Sequence, residues 1–211
     1  PPAGPLPKVK PAAYHSAVTV KRKAIEQNHL ILAFPAPTYL DPRRAQVLLL
    51  NSLLGGGCSS RLFQELREER GLCYTVYSYV ADHEDTGLIG VYAAVSPDQE
   101  RQALEAARRV VLELADHGPA WEEVDRVREQ AKAGLLMGNE SVQARMSHMG
   151  SSALLYGRVR ETQEILDLYD AVTPEQLRAL AGELFQMEQA SLSAVGRVSL
   201  AAEYSQWLTA L

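Results

Sequence analysis

Residues 55–74 of the chain read GGGCSSRLFQELREERGLCY. The three glycines predict a loop, and Ser59 and Ser60 stand where the N-cap of a helix is favoured. Arg67 lies on that predicted helix, and Tyr74 follows seven positions later, where a strand begins. The helix end and the strand start can therefore present a guanidinium and a phenol to one spot, which suits them to hold a peptide carbonyl. Because nothing in the segment can bind a metal or attack a bond, it indicates half of an active site.

The composition is typical of a globular domain and argues against disorder. With 211 residues, 46% of them hydrophobic and 22% charged, the chain can bury a sizeable core as one large domain or two small lobes. The formal net charge is −5 and no basic run is present, so we expect no nucleic-acid partner. The longest apolar stretches, such as residues 45–54, are too short and too interrupted to cross a bilayer, so we expect no membrane insertion.

The cysteines and the start of the chain bear on its compartment. Cys58 and Cys73 do not make a disulfide framework, and a reducing, cytoplasmic location is the simpler interpretation. A bridge between the two stays open, because they could lie near each other in space. The chain does not open with a charged segment followed by an apolar run, as a secretory signal would.

The first eleven residues are rich in proline. Prolines stand at positions 1, 2, 5, 7 and 11, a density that favours extended polyproline conformation. We therefore interpret residues 1–11 as an interdomain linker and residues 12–211 as the folded domain. A linker at this position predicts that the chain is part of a longer protein, with an expression remnant or a processed N-terminus as the alternatives.

Periodicity in the sequence predicts five strands and eight helices. The strands are expected over 14–20, 29–34, 73–80, 88–95 and 190–195. The helices are expected over 42–54 and 60–70, from the start at 96–99 onward, over 120–137, 141–156 and 162–169, from 174 onward, and over 200–208. Strands, helices, a hairpin, helices and a strand in that order predict an α+β fold, with a largely antiparallel sheet packed against helices.

Helix boundaries carry recognisable signals. Asp41 and Pro42 provide an N-cap and a first-turn proline for the helix through Leu54. Ser96–Gln99 provides a cap, a first-turn proline and a capping-box glutamine, and Thr173–Gln176 repeats the cap-and-proline start. Apolar residues cover most of the circumference of the 42–54 helix, so we expect it to be buried. Gly55–Gly57 are expected to end it in the left-handed conformation of a C-cap.

No metal site or nucleophile stands out elsewhere in the chain. The five histidines are scattered, and none lies four residues from another as zinc ligands on one helix face would. The cluster His83-Glu84-Asp85 is best interpreted as a solvated loop. Cys58 and Cys73 lack the spacing of a thiolate zinc site and belong to no Cys–His nucleophile pattern. We therefore predict no metal ligand in this chain.

Arg67 and Tyr74 remain as the candidate pair, and two interpretations are open. In the first, Arg67 forms a surface ion pair with Glu65, Glu68 or another carboxylate, and Tyr74 fills a half-buried strand position. In the second, the pair is functional. Spacing alone favours the first interpretation, and the wider sequence context favours the second.

That context is a family resemblance. The run Leu53–Tyr79, LLGGGCSSRLFQELREERGLCYTVYSY, resembles the second domain of the pitrilysin-type (M16) zinc peptidases, which include mitochondrial processing peptidase, insulin-degrading enzyme and bacterial processing proteases. The Gly-rich loop, the Ser-Arg-Leu-Phe helix, the Leu-Arg-x-x-x-Gly-Leu-x-Tyr turn and the Thr-Pro-Glu-Gln helix start all match. The resemblance extends loosely over residues 12–198. It implies a LuxS/MPP-like metallohydrolase sandwich, paired with a homologous domain like a clamshell.

The resemblance also implies a role for each matching residue. In that family the first domain binds zinc through an inverted His-x-x-Glu-His motif, and the second lacks the motif. It implies that Tyr74 hydrogen-bonds the scissile carbonyl as this becomes an oxyanion, and that Arg67 fixes the substrate backbone. Gly55, Gly56 and Gly57 match a glycine loop that approaches the substrate. Zinc is expected in a separate N-terminal domain, with no cofactor in this chain.

Three hypotheses for the function follow. The chain is the C-terminal half of a zinc endopeptidase, or a domain of a catalytically inactive partner subunit used for assembly or substrate presentation. The third hypothesis is an unrelated α+β ligand-binding module. Under the first two, the expected partners are an N-terminal zinc-binding domain or partner subunit and a peptide substrate. The chain alone should not hydrolyse anything, and it should expose an apolar, partner-facing surface through which it could also form a homo-oligomer.

Overall fold

The computed structural model describes residues 12–209, so the predicted linker over residues 1–11 lies outside the described residues. The strands are β1 Val18–Arg22, β2 Asn28–Ala36, β3 Cys73–Asp82, β4 Gly87–Val95 and β5 Ser191–Gly196. The α-helices are α1 Arg44–Gly55, α2 Glu100–His117, α3 Trp121–Gly138, α4 Val142–Tyr156, α5 Thr162–Asp170, α6 Pro174–Leu184 and α7 Ala201–Thr209. A π-helix, Phe63–Glu69, lies between α1 and β3, and a 3₁₀ turn covers Met187–Gln189.

The five strands form one sheet in the order β1-β5-β2-β4-β3. Strand β1 pairs with β5 in parallel, and the other pairs are antiparallel. The prediction of an α+β fold with a largely antiparallel sheet is therefore confirmed. No helix among residues 12–209 is long and apolar enough to span a membrane.

The two faces of the sheet differ. On β2, Leu30, Leu32 and Phe34 are buried beneath helices, and Leu30 and Leu32 pack against Leu104 of α2. The alternating residues of β2, such as His29, are only partly buried, as the pleat of a strand with one covered face requires. The core therefore lies between the sheet and a layer formed mainly by α1, α2 and α6.

Helix α1, which leads into the Gly55–Gly57 loop, is deeply buried. Leu49, Leu50, Leu53 and Leu54 have no exposed surface, which confirms the prediction from their distribution around the helix. Full burial of each leucine contributes roughly 2–3 kcal/mol to folding before the loss of conformational entropy is counted. Helix α1 can therefore serve as a rigid support for the loop that follows it.

The cap predicted at Thr173 is confirmed. The cap predicted at Ser96 is wrong, because α2 begins at Glu100 and its N-cap residue, Gln99, makes no side-chain cap hydrogen bond. The Thr173 hydroxyl accepts the Gln176 amide at 3.4 Å, and the Gln176 side chain accepts the Thr173 amide at 3.1 Å, which is a capping box. The Ser141 hydroxyl accepts the Ala144 amide at 3.3 Å at the start of α4. The signals at Thr173 and Ser141 are local in sequence, and the structure retains them.

Two further predicted element starts are wrong. The first strand begins at Val18, not at residue 14, because the hydroxyl of Tyr14 instead bonds the Ser191 hydroxyl at 2.7 Å and the Ala33 carbonyl at 3.1 Å. Helix α1 begins at Arg44. Asp41 does not cap it, because its carboxylate accepts hydrogen bonds from the amide and guanidinium of Arg43.

The prediction of a left-handed C-cap at Gly55–Gly57 is also wrong. Gly56 ends α1 at a φ of −81°, within the right-handed region. Gly55 serves a packing role instead, since a Cβ there would collide with the backbone nitrogen of Ser78 on β3. The left-handed glycine of the segment is Gly71, at a φ of +60°.

Candidate functional site

Arg67 is carried by the π-helix Phe63–Glu69. Such helices are rare, usually short and frequently found at functional sites. The π-helix is anchored through Leu66, which is fully buried, while Arg67 on the next position is partly exposed. Ser60 lies where the preceding helical turn begins, and its hydroxyl donates to the Gly57 carbonyl at 2.6 Å. The predicted serine cap therefore bonds back to the glycine loop.

The turn after the π-helix brings the chain onto β3. The Gly71 amide donates to the Arg67 carbonyl at 3.2 Å, and the Leu72 amide donates to the Leu66 carbonyl at 2.8 Å. The left-handed conformation of Gly71 is the one that glycine adopts without steric cost. It reverses the chain direction directly before the strand that bears Tyr74.

Tyr74 occupies a β-bulge. Cys73 pairs with Val95 and Thr75 pairs with Ala94, so Tyr74 is an extra residue on β3 without a partner on β4. A bulge redirects a side chain out of the regular alternation, and 73% of Tyr74 is exposed. The interpretation of Tyr74 as filler of a half-buried strand position is therefore wrong.

The structure brings Arg67 and Tyr74 together. The Arg67 guanidinium carbon lies 4.7 Å from the ring centroid of Tyr74 and 4.8 Å from that of Phe63. Both distances are within the range of cation–π attraction. The Arg67 Nε lies 3.8 Å from a carboxylate oxygen of Glu68, an exposed and long ion pair that contributes little. Glu65 instead pairs with Arg70.

The three glycines divide into two roles. Gly55 is buried against Ser78, whose hydroxyl donates to the Asn51 carbonyl of α1 at 2.9 Å. Gly56 and Gly57 are exposed, and a Cβ at Gly57 would have no atom within 4 Å. Only the outer part of the loop is therefore open to a ligand.

Arg61 fixes the helical turn that leads into the π-helix, a role that sequence reasoning missed. Its Nε and Nη2 donate to the two carboxylate oxygens of Glu123 at 2.9 and 2.7 Å, and Nη2 also donates to the Gly118 carbonyl at 3.0 Å. These bonds to Arg61 hold the pKa of Glu123 below its usual range. Arg61 and Glu123 are 62 positions apart, so no local pattern could have linked them.

The two cysteines differ in environment, and both are free thiols. Cys58 is exposed on the glycine loop, and Cys73 is buried beside Tyr74. Burial raises the pKa of the Cys73 thiol to about 11, against an opposing effect of the Arg67 charge. Cys73 is therefore protonated at neutral pH and is a poor nucleophile.

A tyrosine cluster lies on the partly exposed face of the sheet, and sequence reasoning missed it as well. Tyr77 lies opposite Tyr92, with ring centroids 4.9 Å apart, and Tyr79 covers Gly90. The Tyr92 hydroxyl is 2.7 Å from Nδ1 of His29. Burial raises the pKa values of Tyr79 and Tyr92, with a smaller contribution from Tyr77, so both phenols can donate hydrogen bonds at neutral pH.

The donor set of the described residues does not fit zinc. A zinc site needs three or four His, Cys, Asp or Glu side chains around one point. No group of three or more such residues that could hold a metal ion occurs within residues 12–209. What Arg67, Tyr74 and the outer glycine loop can do is donate hydrogen bonds to an extended polar ligand.

Comparison with known proteins gives consistent results. Residues 1–131 match the family described as the peptidase M16 inactive domain. The chain is 40% identical over 171 residues to an uncharacterized zinc protease of Streptomyces coelicolor, covering 81% of this chain and 37% of that protein. It is 34% identical over 177 residues to the uncharacterized zinc protease YmxG of Bacillus subtilis, covering 84% and 43%. The chain thus spans less than half the length of these relatives.

Solved structures show the same fold. The peptidase M16 inactive domain from Pseudomonas fluorescens matches with a TM-score of 0.84 and 25% identity, over 94% of this chain and 48% of that one. A chain of complex III2 from Candida albicans matches with a TM-score of 0.82 and 16% identity, over 97% and 52%, a likeness of fold alone. Since the family match covers more than half of its residues, the chain belongs to the peptidase M16 inactive-domain family.

Proposed function

We propose that this chain is the C-terminal half of a zinc-dependent endopeptidase. In this role it grips the peptide, and a separate N-terminal domain binds the zinc. The observation that carries the proposal is the placement of the Arg67 guanidinium over the ring of an exposed Tyr74. The names of its relatives, which are zinc proteases, support a zinc domain in the longer protein.

The chemistry of the pair fits a carbonyl that gains negative charge. The Tyr74 hydroxyl donates a hydrogen bond to the scissile carbonyl oxygen, and such donors typically contribute ~3–4 kcal/mol to transition-state stabilisation. The Arg67 guanidinium, oriented by the rings of Phe63 and Tyr74, donates to backbone carbonyls of the peptide. Gly57 lets the peptide approach the loop because it has no side chain.

We further propose that residues 1–11 join residues 12–211 to the companion domain. A cytoplasmic location is supported by the free state of both cysteines, which suits a reducing compartment.

A substitution in the longer parent protein tests the proposal. Tyr74→Phe should lower kcat by about 10²–10³-fold and leave zinc content unchanged. Tyr77→Phe, on the same strand, is the matched control and should retain turnover. Unchanged kcat in Tyr74→Phe would remove the role assigned to Tyr74.

The second candidate function is a domain of an inactive partner subunit. The lack of a fitting zinc donor set among residues 12–209 agrees with this candidate as well as with the first one. An inverted zinc motif in the couple of hundred residues upstream of this chain supports the endopeptidase. If that motif is missing, Arg67 and Tyr74 would act on a site in another subunit.

A further inference from the structure

Helix α4 forms hydrogen bonds with the segment that directly follows it, and the ring of Tyr156 at its end packs against the ring of Tyr39. His148 Nε2 lies 3.1 Å from the Arg160 carbonyl, and the Ser152 hydroxyl donates to the Arg158 carbonyl at 3.0 Å. The same hydroxyl accepts the Arg160 amide at 2.9 Å. Ser152 is the buried residue of this helix. The inner side of α4 is thus polar.

The outer side of α4 is apolar. Val142, Met146, Met149 and Ala153 follow one another at spacings of four, three and four, which places them on one helix face. The exposed fractions of Val142, Met146 and Met149 are 82%, 59% and 49%. We call these four residues the α4 stripe. A surface helix normally turns such a stripe inward, so α4 has the reverse orientation.

The neighbouring end of α3 enlarges the apolar surface. Leu136 and Met137 are 51% and 65% exposed, and a tight turn over residues 139–141 separates them from the start of α4. Methionine side chains adapt their shape to a partner surface. Large exposed apolar surfaces mark interaction sites.

We propose that the α4 stripe is the docking surface for the companion domain of the same polypeptide, an inference that rests on the proposed function. The chain spans 37% and 43% of its two curated relatives and 48% of the Pseudomonas fluorescens chain, so each of these contains at least one further stretch of comparable length. A tethered domain meets the stripe at an effective concentration in the millimolar range, which a second copy does not reach in dilute solution.

The charge of α4 fits a protein partner. Arg145 is the one Lys, Arg, Asp or Glu in its sequence, VQARMSHMGSSALLY. A helix that lies on a membrane surface needs several basic residues on its polar face. A nearly neutral apolar stripe instead suits the core of a domain interface, where charged residues are depleted.

The C-terminal end of α4 lies away from the candidate site. The Tyr156 hydroxyl of α4 donates to the Tyr39 carbonyl at 3.4 Å, and the Tyr39 ring lies under Arg44, which pairs with Asp82 at the end of β3. Tyr74 lies at the other end of β3. Eight residues of extended chain separate it from Asp82 by roughly 25 Å. Substitutions in the α4 stripe leave the side chains of Arg67 and Tyr74 unchanged, and exchange of the α4 amides reports docking directly.

Hydrogen exchange of the α4 amides, in the 211-residue chain and in the longer parent protein, tests the proposal. In the parent, docking should slow exchange over residues 142–156 by at least about tenfold relative to the chain alone. The double variant Met146→Glu/Met149→Glu should remove that protection and leave the stability of the chain alone unchanged. The control Gln143→Glu/Ser147→Glu adds the same charge to exposed positions off the stripe and should preserve the protection.

Three results would overturn the inference. The first is equal exchange of the α4 amides in the 211-residue chain and in the parent. The second is an equal effect of the two double variants on that exchange in the parent. The third is a dimer of the 211-residue chain that only the methionine double variant dissociates, while exchange in the parent does not change. The last result would assign the stripe to a second copy. Hydrogen exchange reports docking and does not depend on activity. The kcat of Tyr74→Phe reports the proposed function, so the two failures are distinguishable.

Discussion

The guanidinium of Arg61 donates two parallel hydrogen bonds, at 2.9 and 2.7 Å, to the carboxylate of Glu123. They join the helical turn that leads into the π-helix to the first turn of α3. Paired, two-point contacts of this kind combine energy with a fixed relative orientation. The position of Arg67 thus depends on a residue of α3 that binds Arg61, six positions before Arg67.

Glu123→Gln should lower the free energy of unfolding by about 1–2 kcal/mol at pH 7, because one charge-assisted contact is lost at a partly exposed position. The folded-state pKa of Glu123 is below its ordinary value of 4.5. The contribution is therefore fully present above about pH 4.5 and is lost as the pH falls through the lower folded-state pKa. Urea unfolding from pH 7 to pH 4 measures it. Glu122→Gln, in the same helical turn, is the control, and a difference between wild type and Glu123→Gln that stays constant below pH 4.5 would contradict the assignment.

Arg67→Lys should weaken kcat/KM of the parent protein by roughly tenfold or more, mainly through KM. Lysine keeps the charge but loses the planar guanidinium that lies between the Phe63 and Tyr74 rings. Steady-state kinetics on a peptide substrate measure the effect. Arg70→Lys, at the end of the same helix and paired with Glu65, should retain wild-type values. Equal effects of the two variants would indicate a general charge effect and contradict the specific role of Arg67.

Three glycine substitutions should separate packing, backbone and surface roles. Gly55→Ala should cost about 1–3 kcal/mol because α1 and β3 must move apart at Ser78. Gly71→Ala should cost about 1–2 kcal/mol through its left-handed conformation, since a Cβ there meets no atom within 4 Å. Gly57→Ala should stay within about 0.5 kcal/mol of wild type. Denaturant unfolding ranks the three, and a large cost at Gly57 would show that the outer loop is not open surface.

Cys58 should react with iodoacetamide at least about tenfold faster than Cys73 at pH 7. Cys58 is exposed, whereas burial raises the pKa of Cys73 to about 11. The Cys73 rate should rise with pH toward that value, because the thiolate is the reacting form. Mass spectrometry of the single variants Cys58→Ser and Cys73→Ser separates the two rates. Comparable rates at neutral pH would contradict the buried position of Cys73.

A buried carboxylate, Glu100, should prove essential for stability. Its Oε2 accepts hydrogen bonds from the side-chain amide of Asn28 at 2.7 Å and from the Tyr204 hydroxyl at 2.8 Å. Its Oε1 accepts hydrogen bonds from the backbone amide and the hydroxyl of Ser199. Glu100→Gln places an NH₂ group among donors and should cost about 2–3 kcal/mol, whereas Tyr204→Phe should cost about 1–2 kcal/mol. Glu105→Gln on the exposed side of α2 is the control for both in thermal unfolding. A Glu100→Gln cost as small as that of the control would mean that the network is not needed.

Sequence signals predicted features whose causes are local. The Thr173–Gln176 capping box spans four residues and needs no tertiary contact, and the alternation on β2 depends only on the burial of one face. Gly55 was misassigned because its constraint comes from Ser78, across the gap between helix and sheet. The Arg67–Tyr74 pair was found because helix and strand adjoin in sequence. The reversed orientation of α4 depends on carbonyls of Arg158 and Arg160, so periodicity predicted a helix without predicting which side is covered.

The bulge at Tyr74 makes that residue dispensable to the sheet. On either side of it the ladder is continuous, from Cys73 opposite Val95 to Thr75 opposite Ala94. Because the extra residue takes no part in the ladder, Thr75, Tyr77 and Tyr79 keep their positions whatever side chain stands at 74. The fold can therefore exchange this phenol at small cost, and a domain of this shape can gain or lose a ligand-contacting residue while its architecture stays the same.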